Sequence, residues 1–350
     1  MAIPLMRSPI RTAIVLTVAA ALVVVFLRNV PLRDVANAIV HARLRWLGVS
    51  FVTAVLSLVI RSLRWQYLLE PLGHASFANA FRATAVGFAA SSILPARAGE
   101  VIRPYFLARH ENMTATGAFA TIILERVLDL LTVLVLLASF VFVFDSDAPV
   151  ATLPALTAVK WAGATALAGA LIALVAMFVL AGDPGRVGRW MARLEEVVPS
   201  KLAALIGKVA EKFSKGLAAV RNPGRLCIAL LWSFPLWLTI ATGLWSVSEA
   251  FGIQVPFTGS FLMVALLVIG VAVPTPGAIG GFHVAYLYAA TTFFAAQKDA
   301  AVGAAIVAHL FSVGPALLLG LIFAGQAGLN LSGMRRLAEE ASAEPQGAKS

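Results

Sequence analysis

Four stretches of the sequence carry side chains that could handle a phosphate group. The first is Pro95-Ala96-Arg97-Ala98-Gly99-Glu100-Val101-Ile102-Arg103-Pro104. Pro95 ends a helix and Gly99 permits a tight turn, so a new helix can begin near Glu100. The free N–H groups of that helix start, flanked by Arg97 and Arg103, would make an anion site. A solvated loop with Glu100 as a helix-start carboxylate accounts for the same residues equally well. The second stretch holds Glu125, Arg126 and Asp129 at the start of an apolar run. Both carboxylates fall on one helical face, and Arg126 can pair with Asp129 three residues on. Charges there are costly unless they face a polar interior, which points to a wet cavity shared with Arg97 and Arg103. The competing reading is an ion pair at headgroup level.

The third stretch is Arg61 and Arg64, one turn apart beside Trp65 and Tyr67. It suits either a lipid phosphate or a pair of interfacial anchors. The fourth is Pro274-Thr275-Pro276-Gly277-Ala278-Ile279-Gly280-Gly281. Its glycines let a lipid or a helix approach the backbone. Pro276 and Gly280 repeat the spacing of Pro95 and Gly99, and each pair separates two short apolar pieces. Interrupted helices in matching positions of two halves mark a transporter site and an inverted repeat; a simple turn between helices is the plainer reading. His283 follows this turn and His309 lies in the last apolar run. Either could titrate in a cavity, although a lone histidine is more often structural.

Enzyme signatures are sparse. HExxH, Walker, GxSxG and CxxC patterns do not occur. Asp145-Ser146-Asp147 has the form of a metal-binding DxD but lacks its strand context. No metal or cofactor is expected. A transferase would have to use Glu100 or Asp129 as its base.

The elements that position these residues follow from composition. Of 350 residues, 60% are hydrophobic and 13% charged. A soluble domain would carry about 25% charge, so an ordinary cytosolic enzyme and a disordered chain are excluded. One cysteine, Cys227, excludes an intrachain disulfide and a cysteine-built zinc site. Apolar runs of about twenty residues recur, giving an all-α polytopic membrane protein. The net charge is +10. The basic residues cluster at the ends of apolar runs, which indicates lipid headgroups rather than nucleic acid.

Ala13 to Leu27 reads as an uncleaved anchor, and 28–45 as a short interfacial helix. Further spans are expected over Trp46–Ile60, running on toward Tyr67, and over Val127–Phe144, Leu156–Leu180, Leu226–Val247 and Ala300–Ala324. Phe81–Leu94 covers only about 20 Å of a roughly 30 Å core and is read as re-entrant. Phe257–Val273 and Phe282–Phe294 are the two pieces around the second turn. About seven full spans and two re-entrant or broken helices result. Residues 183–225 form a basic amphipathic stretch on the cytoplasmic surface. The membrane unit covers 1–334 and a disordered cytoplasmic tail 335–350. Lysine and arginine placement puts both termini inside, although Arg28 to Arg45 argue the other way; a full crossing by 81–95 would flip the N-terminus.

The ordered set Arg61-Ser62-Leu63-Arg64-Trp65, Pro95 to Pro104, Glu125-Arg126-Val127-Leu128-Asp129 and Pro274 to Gly281 resembles the lysylphosphatidylglycerol synthase transmembrane region, or flippase-like, family. The likeness runs from about residue 10 to 330. It implies a bacterial inner-membrane protein that moves a phospholipid between leaflets. It does not carry over aminoacyl transfer, which belongs to a separate soluble domain in bifunctional members. Two departures stand out: Ala278 replaces a glycine, and His283 stands where the family has a glutamate. A histidine there points away from a cationic headgroup.

The expectation is therefore binding and movement of a phosphate-bearing lipid. Arg61, Arg64, Arg97, Gly99, Glu100, Arg103, Glu125, Arg126, Asp129, Pro276, Gly277, Gly280, Gly281 and His283 would form its site. Arg97, Arg103 and the Gly280-Gly281 backbone would grip the headgroup. The alternatives are a lipid-modifying transferase and a non-catalytic partner of a lipid-pathway enzyme. Oligomeric state is not legible.

Overall fold

The computed structural model describes residues 32–94, 97–144, 154–182, 217–273, 275–328 and Gly333. The expected anchor at 13–27, the loop at 145–147, most of the 183–225 stretch, the tail, Pro95, Ala96 and Pro274 lie outside the described residues. Every regular element is helical among the described residues. The short α1 (Leu32–Val40) precedes a long α2 (Leu44–Leu69). Then come α3 (Phe77–Ile93), α4 (Gly99–His110), α5 (Ala115–Phe144), α6 (Pro154–Gly182) and the single turn α7 (Ala218–Arg221). The chain continues as α8 (Pro223–Ala250), α9 (Gly259–Ala272), α10 (Gly281–Phe294) and α11 (Lys298–Gln326).

Prolines cut the short helices. Leu94, Val273 and Thr275 each precede a proline and have ψ of 146°, 120° and 149°. The proline ring clashes with a helical predecessor, so α3 and α9 stop there. At 17 and 14 residues they reach about 25 Å and 21 Å, short of a roughly 30 Å hydrocarbon core. The long helices α2, α5, α6, α8 and α11 have 26 to 30 residues. Leu44–Leu72, Pro154–Val179, Pro223–Ala250 and Lys298–Gln326 are long and apolar enough to cross a membrane. The protein is a multi-pass helical membrane protein.

The order long helix, short pair, long helix occurs twice: α2, α3–α4, α5 and again α8, α9–α10, α11. Each short pair is an antiparallel hairpin closed by glycines. In the first, a Cβ on Gly99 would run into the carbonyl of Gly87, and one on Gly87 would meet Arg103 Cβ at 2.7 Å. In the second, a Cβ on Gly281 would run into the carbonyl of Gly270. Inside a membrane no hydrophobic force drives helices together, so small residues that allow backbone contact do it.

The base of the first hairpin is tied by Glu111. Its Oε1 accepts from the Ser76 amide at 2.9 Å, the Ser76 hydroxyl at 3.1 Å and the Asn79 amide group at 2.9 Å. Slight burial opposes ionisation of this carboxyl, but those three donors outweigh it and hold the Glu111 pKa below its ordinary value. The base of the second hairpin closes with Phe294 against Gly259.

The hairpins enter from opposite ends of α11. Phe81 and Arg82, near the base of the first, pack on Phe323 near the end of α11. The second leads from Phe294 directly into Lys298, where α11 begins. Their tips meet beside the middle of that helix. His309, near its midpoint, bonds the carbonyl of Gly277 at 2.7 Å. Gly277, at φ 60°, faces the Ser92 backbone at the tip of the first hairpin. Arg97 donates across the gap to the carbonyl of Val271, at 2.5 Å.

Candidate functional site

The buried ionic cluster gathers four arginines around two carboxylates. Oε1 of Glu125 lies 3.2 Å from Arg61, 3.3 Å from Arg64, 3.2 Å from Arg103 and 2.8 Å from Arg126. Asp129 sits one turn further along α5. Its Oδ1 accepts from Arg64 at 2.6 Å and from the Trp237 indole at 2.9 Å. Its Oδ2 is 3.4 Å from Arg61 and 3.5 Å from Arg126. The Arg64 side chain is fully buried and also donates to Ser233 at 2.6 Å. Arg103 stacks on Trp65 at 3.9 Å, and that indole donates to Thr121 at 3.0 Å.

Helical register builds the cluster. Arg61 and Arg64 share a face of α2, as Glu125 and Asp129 share a face of α5. Arg103 reaches them because the Gly87–Gly99 contact brings α4 close. Charges far inside apolar helices survive only when paired, and mutual pairing meets that requirement here. The pairing leaves donors over. Nε of Arg64 and Arg126, and Nε and Nη2 of Arg103, are buried without a hydrogen-bond acceptor. Oε2 of Glu125 is likewise unmatched, but Glu125 is completely buried.

Beside the cluster lies a cavity of about 370 Å³. Arg61, Arg97, Arg126 and Asp129 form its charged side. Leu244, Val264, Leu267, Val268, Phe282 and Phe311 make much of the rest apolar. Ser50, Thr53 and Ser57 of α2 add hydroxyls, with Thr239 of α8 and Ser312 of α11. The cavity thus combines a few charged groups and hydroxyls with largely apolar walls.

The sequence-predicted residues divide by position. Arg61, Arg97, Arg126 and Asp129 line the cavity. Arg64, Arg103 and Glu125 lie behind it within the cluster. Arg103 therefore does not point into the cavity as the expected headgroup grip requires; its guanidinium is held against Trp65 and Glu125. The helix start at Gly99 offers no ready anion notch, because the amides of Glu100, Val101 and Ile102 bond the carbonyls of Arg97 and Ala98. Glu100 is half-buried and lies 3.7 Å from Arg97. Gly99 and Gly281 serve close packing, and Gly280 is the hinge before α10 at φ 88°. Pro276 opens the 3-10 turn that presents the Gly277 carbonyl to His309. The triad on α5 is not at a helix start. The helix begins ten residues earlier, at Ala115, so Glu125 lies nearly three turns inside it. Arg61 and Arg64 are buried, which excludes their reading as interfacial anchors.

His283 is not solitary. Its ring lies 4.5 Å from that of His309, and its Nδ1 accepts from the Gly280 amide at 3.3 Å. Sequence reading missed this pair, as it missed Trp237 and Ser233.

The lysylphosphatidylglycerol synthase TM region family matches residues 12–320. The chain is also similar to UPF0104 membrane protein MJ1595 of Methanocaldococcus jannaschii. That relative is 27% identical over 122 residues, which cover 34% of this chain and 36% of it. Glycosyltransferase AglD of Haloferax volcanii is 32% identical over 83 residues, covering 23% of this chain and 13% of AglD. The chain thus spans little more than a third of the one relative and a smaller part of the other. With two broken-helix hairpins meeting over an arginine-lined cavity and a match across most of its length, the chain belongs to the lysylphosphatidylglycerol synthase TM region family.

Proposed function

We propose that the protein binds a phosphate-bearing membrane lipid and moves its headgroup between leaflets. The observation that carries this reading is the cavity itself, with arginines among largely apolar walls, beside hairpin tips that stop midway along α11. Arg61 and Arg126 would receive the phosphate, and Arg97 would sense it from the seam between the hairpins. Val264, Leu267 and Phe311 would accept the first methylenes of the chains. Arg64, Arg103 and Glu125 would hold the guanidinium groups in place. Paired interrupted helices are the sequence and structural mark of alternating access, which supports movement over simple binding.

The transferase reading has weaker support. Asp129 is engaged through both oxygens by four side chains, and Glu100 pairs with Arg97 outside the cavity lining. Neither is a free base. The glycosyltransferase name belongs to AglD, of which 13% is matched. A role as partner of a lipid-pathway enzyme would use the same binding site. We propose a bacterial inner-membrane location from the family likeness, and cytoplasmic termini from the basic residues between 183 and 225, Arg335 and Arg336, with 81–95 re-entrant.

The test is scrambling in proteoliposomes. Vesicles holding the protein and a headgroup-labelled phospholipid should lose outer-leaflet asymmetry faster than empty vesicles, with the lipid mass unchanged. A changed mass would indicate a transferase. Asymmetry retained at the rate of empty vesicles, across anionic and zwitterionic lipids, would rule the reading out.

A further inference from the structure

The charge balance around the cavity narrows the class of headgroup. This step rests on the reading that the cavity receives a phosphate-bearing lipid. Arg61, Arg64, Arg97, Arg103 and Arg126 stand against Glu100, Glu125 and Asp129. Five guanidinium groups against three carboxylates leave a surplus of two positive charges, because arginine stays protonated. Of these eight side chains, Arg61, Arg97, Arg126 and Asp129 reach the cavity, with the same surplus.

Each carboxylate is already committed. Asp129 has two donors on Oδ1 and two arginines near Oδ2. Glu125 is completely buried behind the cavity wall, and Glu100 pairs with Arg97. Among the described residues no other acidic side chain lines the cavity. The lining's guanidinium groups, by contrast, outnumber its single carboxylate, so the surplus is not met within the wall.

We propose that the cavity selects a lipid whose phosphate group carries about two negative charges, a phosphomonoester or a diphosphate, and rejects headgroups bearing an ammonium. A phosphomonoester carries about −1.5 to −2 at pH 7 and three acceptor oxygens. It would neutralise most of the surplus in one group and accept charge-assisted hydrogen bonds from the lining guanidinium groups. A phosphodiester supplies one charge and leaves one guanidinium uncompensated. An aminoacylated or ethanolamine headgroup would bring an ammonium beside three arginines with no carboxylate left to receive it. The discrimination arises from repulsion as much as attraction. Arg126 is its adjustable element, since its side chain is 39% exposed while those of Arg61, Arg64 and Arg103 are nearly or fully enclosed.

The experiment measures binding to the purified full chain in neutral detergent. Phosphatidic acid, phosphatidylglycerol, phosphatidylethanolamine and lysyl-phosphatidylglycerol of equal chain length each compete with one fluorescent phosphatidic acid. Inorganic phosphate and pyrophosphate form separate arms. Phosphatidic acid should bind at least about tenfold more tightly than phosphatidylglycerol, with the other two weaker still. Arg126→Gln removes one surplus charge and should bring that ratio to within about threefold. Its melting midpoint, measured alongside, should stay near that of the parent. Equal binding of phosphatidic acid and phosphatidylglycerol, or tighter binding of the lysyl lipid, overturns the charge inference while the phosphate-lipid reading stands. Displacement of the probe by free pyrophosphate at concentrations as low as phosphatidic acid supports a dianion site and overturns the lipid reading. Failure of the fluorescent lipid to bind overturns both.

Discussion

Replacing Glu125 by glutamine tests whether one carboxylate holds the cluster together. The change conserves shape and removes one charge. In the parent, a single oxygen lies within 3.3 Å of four guanidinium groups. Three of those side chains are at most 9% exposed. Without the carboxylate they face one another with only Asp129 to offset them. Removing one partner of a buried pair costs about 3–5 kcal/mol. The fourth partner, Arg126, is screened by its exposure and adds little. A loss of that size corresponds to a fall on the order of 10 °C in the melting midpoint. Tryptophan fluorescence on heating in a fixed detergent reads it directly, because Trp65 and Trp237 contact the cluster. Adding Arg103→Met to Glu125→Gln removes one orphaned cation and should recover several degrees, a coupling of about 1 kcal/mol or more. A Glu125→Gln protein that melts within about 2 °C of the parent, or a strictly additive double variant, would refute the hub.

Other expectations follow from packing and titration. Gly99→Ala and Gly281→Ala force a Cβ into facing backbone, so both should lower the yield of monodisperse protein severely, whereas Gly169→Ala, with open space around it, should not. Gel filtration after extraction separates these results, and normal yield of Gly99→Ala would contradict the hairpin contact. Arg97→Gln cuts the bond to the Val271 carbonyl at the seam without touching the buried cluster. Lipid movement in vesicles should change at least about fivefold while the melting midpoint stays within a few degrees. Glu111, whose folded pKa is depressed, stabilises the hairpin base above the ordinary carboxylate value of about 4.3. That contribution is lost as pH falls through its lower folded value. Glu111→Gln should flatten the acid limb of a stability-against-pH curve, and an unchanged limb would remove Glu111 from the account.

Much of this arrangement could be read from residue order, and the part that could not has a common cause. Prolines 95, 274 and 276 announce the breaks because their effect is local: each disfavours a helical predecessor. The long helices follow from uninterrupted apolar composition. Arg126 and Asp129 were paired correctly because they lie one turn apart on the same helix. Contacts between helices are another matter. Nothing local says that Arg103 turns toward Trp65, that Asp129 meets Trp237, or that His283 finds His309. Those depend on how closely hairpins pack, which depends in turn on single glycines such as Gly87 and Gly270 whose role appears only beside their partners. The start of α5 at Ala115 is obscured for a related reason. Thr116 and Thr121 make its first turns look polar, yet Thr121 returns its hydroxyl to the Ala118 carbonyl and so suits a helix.

The bond from Arg97 to the Val271 carbonyl of α9 has a mechanical corollary. A helix that stops at this depth leaves its last carbonyls without intrahelical partners, and the guanidinium supplies one of them with a donor. Drawing the two tips apart would break this bond, so on the proposed reading it holds the unloaded protein closed. An arriving phosphate offers the guanidinium a stronger acceptor than a peptide carbonyl. The cargo would then be its own key, and a vesicle bearing the empty protein should remain tight to small ions.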